Sequence, residues 1–283
     1  MLAIIGGTGL YKIEDINILE KFSVQTPYGP PSTKIVKGQY GKNEFLFLAR
    51  HGTSHSLLPH EINYRANILA LKKLGATRII SISAVGSLKE EIKPGDFAIP
   101  SQYFDWIKGN REKSFFGEGL IAHISTANPA CDVLTNHIIT SNENINIHTN
   151  KTYACVDGPR LGTKAESNFL RNAANCDLVG MTNIPEVFLA AEASICYNTI
   201  GIVTDYDCWK DDPEEHVTAM SVIERYGQSM EKIKQLLKHT LNQELPERTC
   251  NCNHMLKNAL MSNESSLSED KLELLNTLRL NDN

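Results

Sequence analysis

Five short apolar runs, separated by stretches of helical periodicity, constrain this chain more than any other feature. Residues 3–5, 45–49, 79–83, 153–156 and 200–203 read as buried strands. Between them, residues 63–74 carry Ala66, Leu69, Ala70 and Leu74 at helical spacing and stop at Gly75, a common helix terminator. Thr163-Lys164-Ala165-Glu166 has capping-box form and predicts a helix to about residue 174. Residues 185–196 predict a second helix, and residues 218 to about 241 a third, long and amphipathic. Strands alternating with helices specify an α/β fold.

From Asn242 the chain turns polar, and Glu264-Ser265-Ser266-Leu267-Ser268 resembles a linker. A short helix is expected at Leu272, Leu275 and Leu278. Residues 1–241 are thus expected to form the body. Residues 242–283 should be an extension that docks or frays and is not an independent domain. No internal repeat is present, and 283 residues suffice for one large domain or two ordinary ones.

A formal charge of -5 gives the chain no general attraction to nucleic acid or to anionic membranes, so any bound anion must be held by a local site. Met1-Leu2-Ala3-Ile4-Ile5-Gly6-Gly7 has no basic region and too short an apolar run for a signal peptide, and no other stretch suits a membrane span. A cytoplasmic location is expected. The seven cysteines are odd in number and scattered, which fits reduced thiols. Cys250-Asn251-Cys252 fits half of a zinc site or a strained redox pair. With no second ligand pair nearby in the sequence, an incidental or redox role is expected ahead of a metal.

Thr204-Asp205-Tyr206-Asp207-Cys208-Trp209 follows the last apolar run and sets two carboxylates at a strand's end. Side chains two apart in an extended chain share a face, so Asp205 and Asp207 are expected to meet one ligand together while Tyr206 points away. Such a pair can read an adenine edge: a protonated acid donates to ring N7, and an anion accepts from the exocyclic amine. Two acids on a solvated loop fit the same three residues.

Three further strand ends suit an anion. Ile4-Ile5-Gly6-Gly7-Thr8-Gly9-Leu10 runs into a Gly-rich turn where backbone N–H groups can approach an oxyanion. It is not a dinucleotide fingerprint, because Lys12 stands where the third Gly belongs. Leu48-Ala49-Arg50-His51-Gly52 ends in a basic pair, and Arg50 is expected to grip phosphate through two parallel N–H bonds. Ile82-Ser83-Ala84-Val85-Gly86-Ser87 ends in a hydroxyl and small residues. Each taken alone reads more readily as a surface loop, but three such endings in one α/β chain favour a shared crevice.

Ile-Ile-Gly-Gly-Thr-Gly-Leu, Ala-Arg-His-Gly, Asn-Tyr-Arg-Ala-Asn, Gly-Pro-Arg, Met-Thr-Asn-Ile-Pro-Glu and Thr-Asp-Tyr-Asp-Cys-Trp stand in this order over residues 1–241. In this the chain resembles the methylthioadenosine phosphorylases, a branch of the trimeric purine nucleoside phosphorylases. The resemblance implies a single-domain fold with a central mixed sheet and distorted barrel flanked by helices, and a homotrimer with active sites near subunit boundaries. It assigns phosphate to Thr8, Arg50, His51, Ser83, Ala84 and Thr182, ribose to Met181, and the base to Asp205 and Asp207. Ala219, Val222 and Ile223, with His55 and a neighbouring subunit, would line an apolar 5' pocket; simple core packing fits the same helix stripe.

The implied reaction needs no metal or organic cofactor, with inorganic phosphate as co-substrate. Asp205, kept protonated by burial beside Asp207, would protonate N7 as the base departs. Arg50, Ser83, Thr182 and backbone N–H groups would align phosphate, with His51 supplying orientation and charge. Leu161, where many relatives carry Phe, is a departure that points toward 5'-methylthioinosine, whereas Asp205 favours a 6-amino purine. Two alternatives stay open: a 6-oxopurine nucleoside phosphorylase, and a catalytically inactive nucleoside-binding sensor.

Overall fold

A computed structural model describes residues 1–7, 16–143, 145–210 and 218–280. The five apolar runs are the interiors of β1 (Leu2–Gly6), β4 (Asn43–Ala49), β5 (Arg78–Ser87), β7 (Ile147–Val156) and β9 (Cys196–Asp205). Four further strands, β2 (Asn17–Phe22), β3 (Ile35–Tyr40), β6 (Phe97–Trp106) and β8 (Leu178–Gly180), lack such runs because they are exposed, half-buried or very short.

The nine strands form one mixed sheet in the order β2-β3-β4-β1-β5-β8-β7-β6-β9. β9 also pairs in parallel with β5, which closes β5, β8, β7, β6 and β9 into a barrel. β1 accompanies β5 from Arg78 to Ser81, and β8 joins the same strand at Gly86. Between these points, among the described residues, no strand pairs with that edge of β5. The sheet therefore opens a gap along residues 82–85.

Helices cover both faces. They are α1 (Tyr64–Lys73), α2 (Asp132–Thr140), α3 (Lys164–Asn168), α4 (Asn183–Glu192), α5 (Ala219–Asn242) and α6 (Glu269–Leu278). Alternate residues of β1 serve opposite cores, as a two-residue period requires. Ala3 and Ile5 join Ile68 and Leu69 of α1 and Val187 and Leu189 of α4. Leu2 and Ile4 join Leu134 and Ile138 of α2 and Ile233, Leu236 and Leu237 of α5.

Local signals account for the helix starts. The Asn63 side chain accepts from the Ala66 amide, and Thr163 and Glu166 form the expected reciprocal capping box. α3 then continues as a π-turn over Phe169–Ala173. The helix expected over residues 185–196 begins two residues earlier and ends at Glu192. Ser194, at φ 52°, turns the chain so that Cys196 can begin β9.

The extension turns back onto the body. Leu274, Leu275 and Leu278 of α6 are buried in the core that contains Ile68 and Leu69. Cys250 and Cys252 meet Cys131 and Cys196, the second thiol pair that was not apparent from sequence proximity. Among the described residues, no helix is long and apolar enough to cross a membrane.

Candidate active site

A pocket of about 1070 Å³ opens at the gap in the sheet, floored by residues 82–86 of β5. Its lining brings together Arg50, His51, His55, Ser83, Ala84, Leu161, Met181, Thr182, Asp205, Asp207, Ala219, Val222 and Ile223. These residues come from six separate stretches of chain. Thr8 lies outside the described residues.

Arg50 follows β4 directly and is 2% exposed. Its Nε and Nη2 donate to the two oxygens of Glu186 at 2.8 and 2.9 Å, and Nη1 donates to the Ile82 carbonyl at 3.1 Å. Nη2 also donates to Ser81 Oγ at 2.5 Å. The parallel pair of N–H bonds expected to grip phosphate is therefore taken by Glu186, and one Nη1 N–H remains for another acceptor. Burial works against the guanidinium charge, but the fully buried Glu186 carboxylate overrides it and raises the Arg50 pKa.

Glu186 is held in turn by hydroxyls from Ser81 and Tyr197, each at 2.8 Å. Asn183 Nδ2 reaches Tyr197 OH at 3.0 Å and Ser83 Oγ at 3.4 Å. The network thus runs from the protein interior to a pocket hydroxyl. Ser83 Oγ and Thr182 Oγ1 lie 3.2 Å apart, and Thr182 makes no side-chain cap bond to α4, so both hydroxyls can serve a ligand.

His51 Nδ1 donates to the Leu57 carbonyl at 2.8 Å, because a carbonyl can only accept. Burial and the adjacent Arg50 charge hold the ring's pKa down to about 4. That direction favours the uncharged imidazole, whose Nε2 offers an acceptor, over the charge expected of His51.

Asp205 ends β9 at a bulge. Val85 is opposite Val203 but Gly86 is opposite Asp205, so Thr204 is the extra residue that re-aims the strand's end. The Thr204 hydroxyl donates to Asp205 Oδ2 at 2.6 Å, and the Asp207 amide donates to Oδ1 at 2.8 Å. The second bond forms an Asx turn. Asp207 sits at φ 52°, so the turn, rather than strand alternation, brings both acids to the pocket. Tyr206 points elsewhere, its hydroxyl donating to the Glu90 carbonyl at 3.3 Å.

Burial pushes Asp205 up to about 6 despite those two hydrogen bonds, and burial also raises Asp207. Gly86 is required beneath them: a Cβ there would stand 2.9 Å from Asp205 Oδ1 and 3.3 Å from Asp207 Cβ.

Across the pocket, Arg111 donates to the carbonyls of Met181, Ile184 and Asp157. It thereby pins the segment that carries Met181 and Thr182 to the loop that leads to Leu161. Gly158, at φ 68°, passes so close to Met181 that a Cβ would lie 2.6 Å from Sδ.

The mouth differs in character. Leu161 is 38% exposed and Ile223 64% exposed, and Leu58 and Trp106 stand nearby. Sequence reasoning did not single out Glu186, Ser81, Gly86, Arg111, Tyr226 or Met230. Tyr226 and Met230 follow Ala219, Val222 and Ile223 along α5, and extending that apolar stripe would have found them. The others act through contacts distant in sequence.

A family model described as the phosphorylase superfamily matches residues 1–242. The S-methyl-5'-thioadenosine phosphorylase of Saccharolobus solfataricus is 46% identical over 266 residues, which cover 92% of this chain and 97% of that one. Among solved structures, a methylthioadenosine phosphorylase sourced from an Antarctic soil metagenomic library superposes with a TM-score of 0.89 at 39% identity, over 98% of both chains. The methylthioadenosine phosphorylase of Schistosoma mansoni in complex with adenine superposes with a TM-score of 0.84 at 32% identity, over 92% of this chain and 98% of that one.

Proposed function

The chain belongs to the phosphorylase superfamily, and we propose from that membership that its pocket cleaves 5'-methylthioadenosine with phosphate, giving adenine and 5-methylthioribose 1-phosphate. It is a pentosyltransferase of the nucleoside phosphorylase type, serving purine and methionine salvage. The observation that carries this reading is the buried acid pair at the end of β9, facing the same cavity as the Ser83 and Thr182 hydroxyls.

As the C1'–N9 bond breaks, its electrons move into the purine and positive charge develops on the ribosyl ring. A carboxyl whose pKa is near 6 holds a proton closer to neutral pH than an ordinary Asp, which suits Asp205 to protonate N7. Asp207 accepts from the exocyclic amine of adenine. Met181 underlies the ribose.

A phosphate oxygen attacks C1' from the opposite ring face. The Ser83 and Thr182 hydroxyls, the Ala84 backbone, the remaining Arg50 N–H and Thr8 align that phosphate. Neutral His51 accepts from a phosphate hydroxyl through Nε2. Phosphate itself supplies the nucleophile, so no organic cofactor or metal enters the chemistry.

At the 5' end, Ala219, Val222 and Ile223 offer apolar surface suited to a methylthio group, with His55 beside them. The exposure of Ile223 and Leu161 at the mouth supports a homotrimer in which a neighbouring subunit completes this wall. Residues 1–241 are the catalytic domain. Residues 242–283 are an extension, consistent with the burial of its leucines in the body's core. The cytoplasm is the proposed location.

Incubation with phosphate and, separately, 5'-methylthioadenosine, 5'-methylthioinosine, adenosine and inosine tests the assignment. Adenine released fastest from methylthioadenosine, and only with phosphate, is the expected result. Dominant hypoxanthine release would overturn the base preference in favour of the 6-oxo reading. No release from any substrate would favour a binding protein without turnover.

A further inference from the structure

We propose that Cys131, Cys196, Cys250 and Cys252 bind a structural zinc ion that clamps the C-terminal extension to the catalytic body. Their sulfur atoms all lie within 4.8 Å of one another, and Cys196 Sγ is 3.4 Å from Cys250 Sγ. A tetrahedral zinc–thiolate centre with bonds of about 2.3 Å has sulfur–sulfur edges of about 3.8 Å. Two disulfides would require only two close pairs, whereas here all four sulfurs converge.

Two of the ligands are fixed by the scaffold. Cys131 is the N-cap of α2, its amide donating to the Tyr197 carbonyl at 3.0 Å. Cys196 is the first residue of β9, its amide donating to the Thr77 carbonyl at 3.1 Å. Both are essentially buried. The other two come from the segment after α5, where residues 243–249 contain no helix or strand. That segment lacks the ladders that hold β9, and a metal would add to the arginine bonds that tether it.

The surroundings suit sulfur anions. Zinc displaces the four thiol protons and leaves a centre with two net negative charges. The Leu134 amide, in the first turn of α2, donates to Cys131 Sγ at 3.4 Å. Arg78 interacts electrostatically with Cys131, Cys196 and Cys250, and its side chain donates to the Pro246 carbonyl. Arg248, two residues before Cys250, donates to the Ser194 carbonyl at 2.6 Å, two residues before Cys196. The cations thus bracket the cluster and bind the same two strands of chain that the metal would join. Four soft thiolates select zinc or iron over hard cations, and a closed four-sulfur shell leaves no position for substrate, which assigns the site a structural role.

The test is elemental analysis of the full chain, purified under reductant without chelator and incubated with zinc, together with thiol counting and intact mass. We expect about one zinc per chain and four thiols that alkylate only after the metal is stripped. Stripping should lower the thermal midpoint by at least about 5 °C. The Cys250→Ser, Cys252→Ser double variant should lose the zinc and still release adenine at ambient temperature.

Absence of bound zinc with all seven thiols alkylating freely would overturn the proposal, as would a mass four hydrogens short from two disulfides. Iron in place of zinc would overturn the zinc assignment, and zinc retained by the double variant would overturn the ligand set. Metal content and thiol protection are read without substrate, so their failure is distinct from failure of the phosphorolysis reading.

Discussion

The floor of the pocket is buried and held by its own hydrogen bonds, whereas its mouth is apolar and exposed. Beneath the floor, Arg50, Glu186, Ser81 and Tyr197 are buried and bonded to one another, and Glu186 alone accepts from three side chains. At the mouth, Leu161 and Ile223 leave apolar surface exposed to solvent. The contrast shows how labour is divided. The charged pair Arg50 and Glu186 is buried between β4, β5 and α4, where a low dielectric strengthens it. The groups proposed to choose among 5' substituents, Ala219, Val222 and Ile223, sit together near the start of α5.

The largest effect should come from breaking the floor. Glu186→Gln leaves the Arg50 charge buried without its partner, and we expect a loss of about 3 to 5 kcal/mol in stability. Phosphate kcat/KM should fall at least about a hundredfold in protein that still folds. Denaturant titration and phosphate-dependent kinetics measure both, and a stable, active variant would show that the network does not anchor the site.

Asp205→Asn comes next. Turnover of 6-amino purines should fall about a hundredfold or more, and that of 6-oxo purines much less; equal losses would refute the N7 role. Stability should move the other way. The carboxyl's pKa is raised from 3.8 to about 6, so the folded state holds its proton more tightly than the unfolded state does. The native contribution of this group therefore declines as pH rises from about 4 through about 6, and is weakest above that range. The variant should be about 1 to 3 kcal/mol more stable than the parent at pH 7 and no more stable below pH 4. A gain that persists at pH 3.5 would mean that something other than the buried charge was relieved.

At the mouth the effects should be smaller and confined to selectivity. Ala219→Asp should shift preference toward adenosine over methylthioadenosine by about tenfold, with stability changed by less than about 0.5 kcal/mol. Unchanged selectivity would remove α5 from the 5' pocket. Leu161→Phe should tighten 6-amino nucleosides only a few-fold, since an aromatic stacking contact contributes about 0.5 to 1.5 kcal/mol. Loss of affinity would show that Leu161 does not face the base.

The same contrast governs what was legible in the chain. Buried strands announce themselves as apolar runs, so β1, β4, β5, β7 and β9 could be read directly, whereas β2 is exposed along most of its length and gives no such signal. Arg50 could be singled out as a basic residue at a strand's end. Its partner Glu186 lies 136 residues away and carries no local signature. That distance is why the guanidinium fork was expected on phosphate and is found on a carboxylate. Asp205 and Asp207 were legible as a pair, but the bulge at Thr204 and the turn that aims them depend on pairing with β5. The thiol cluster was half visible, since only Cys250 and Cys252 are neighbours in sequence.

The gap along residues 82–85 of β5 has a consequence for hydrogen exchange. Amides in this stretch that face β9 are locked in the ladder, while those that face the gap have no partner strand among the described residues. Alternate amides of one buried strand should therefore exchange at very different rates in the free protein, and the fast set should slow when phosphate binds. A strand interior would then report ligand occupancy through its own backbone, with no label and no turnover.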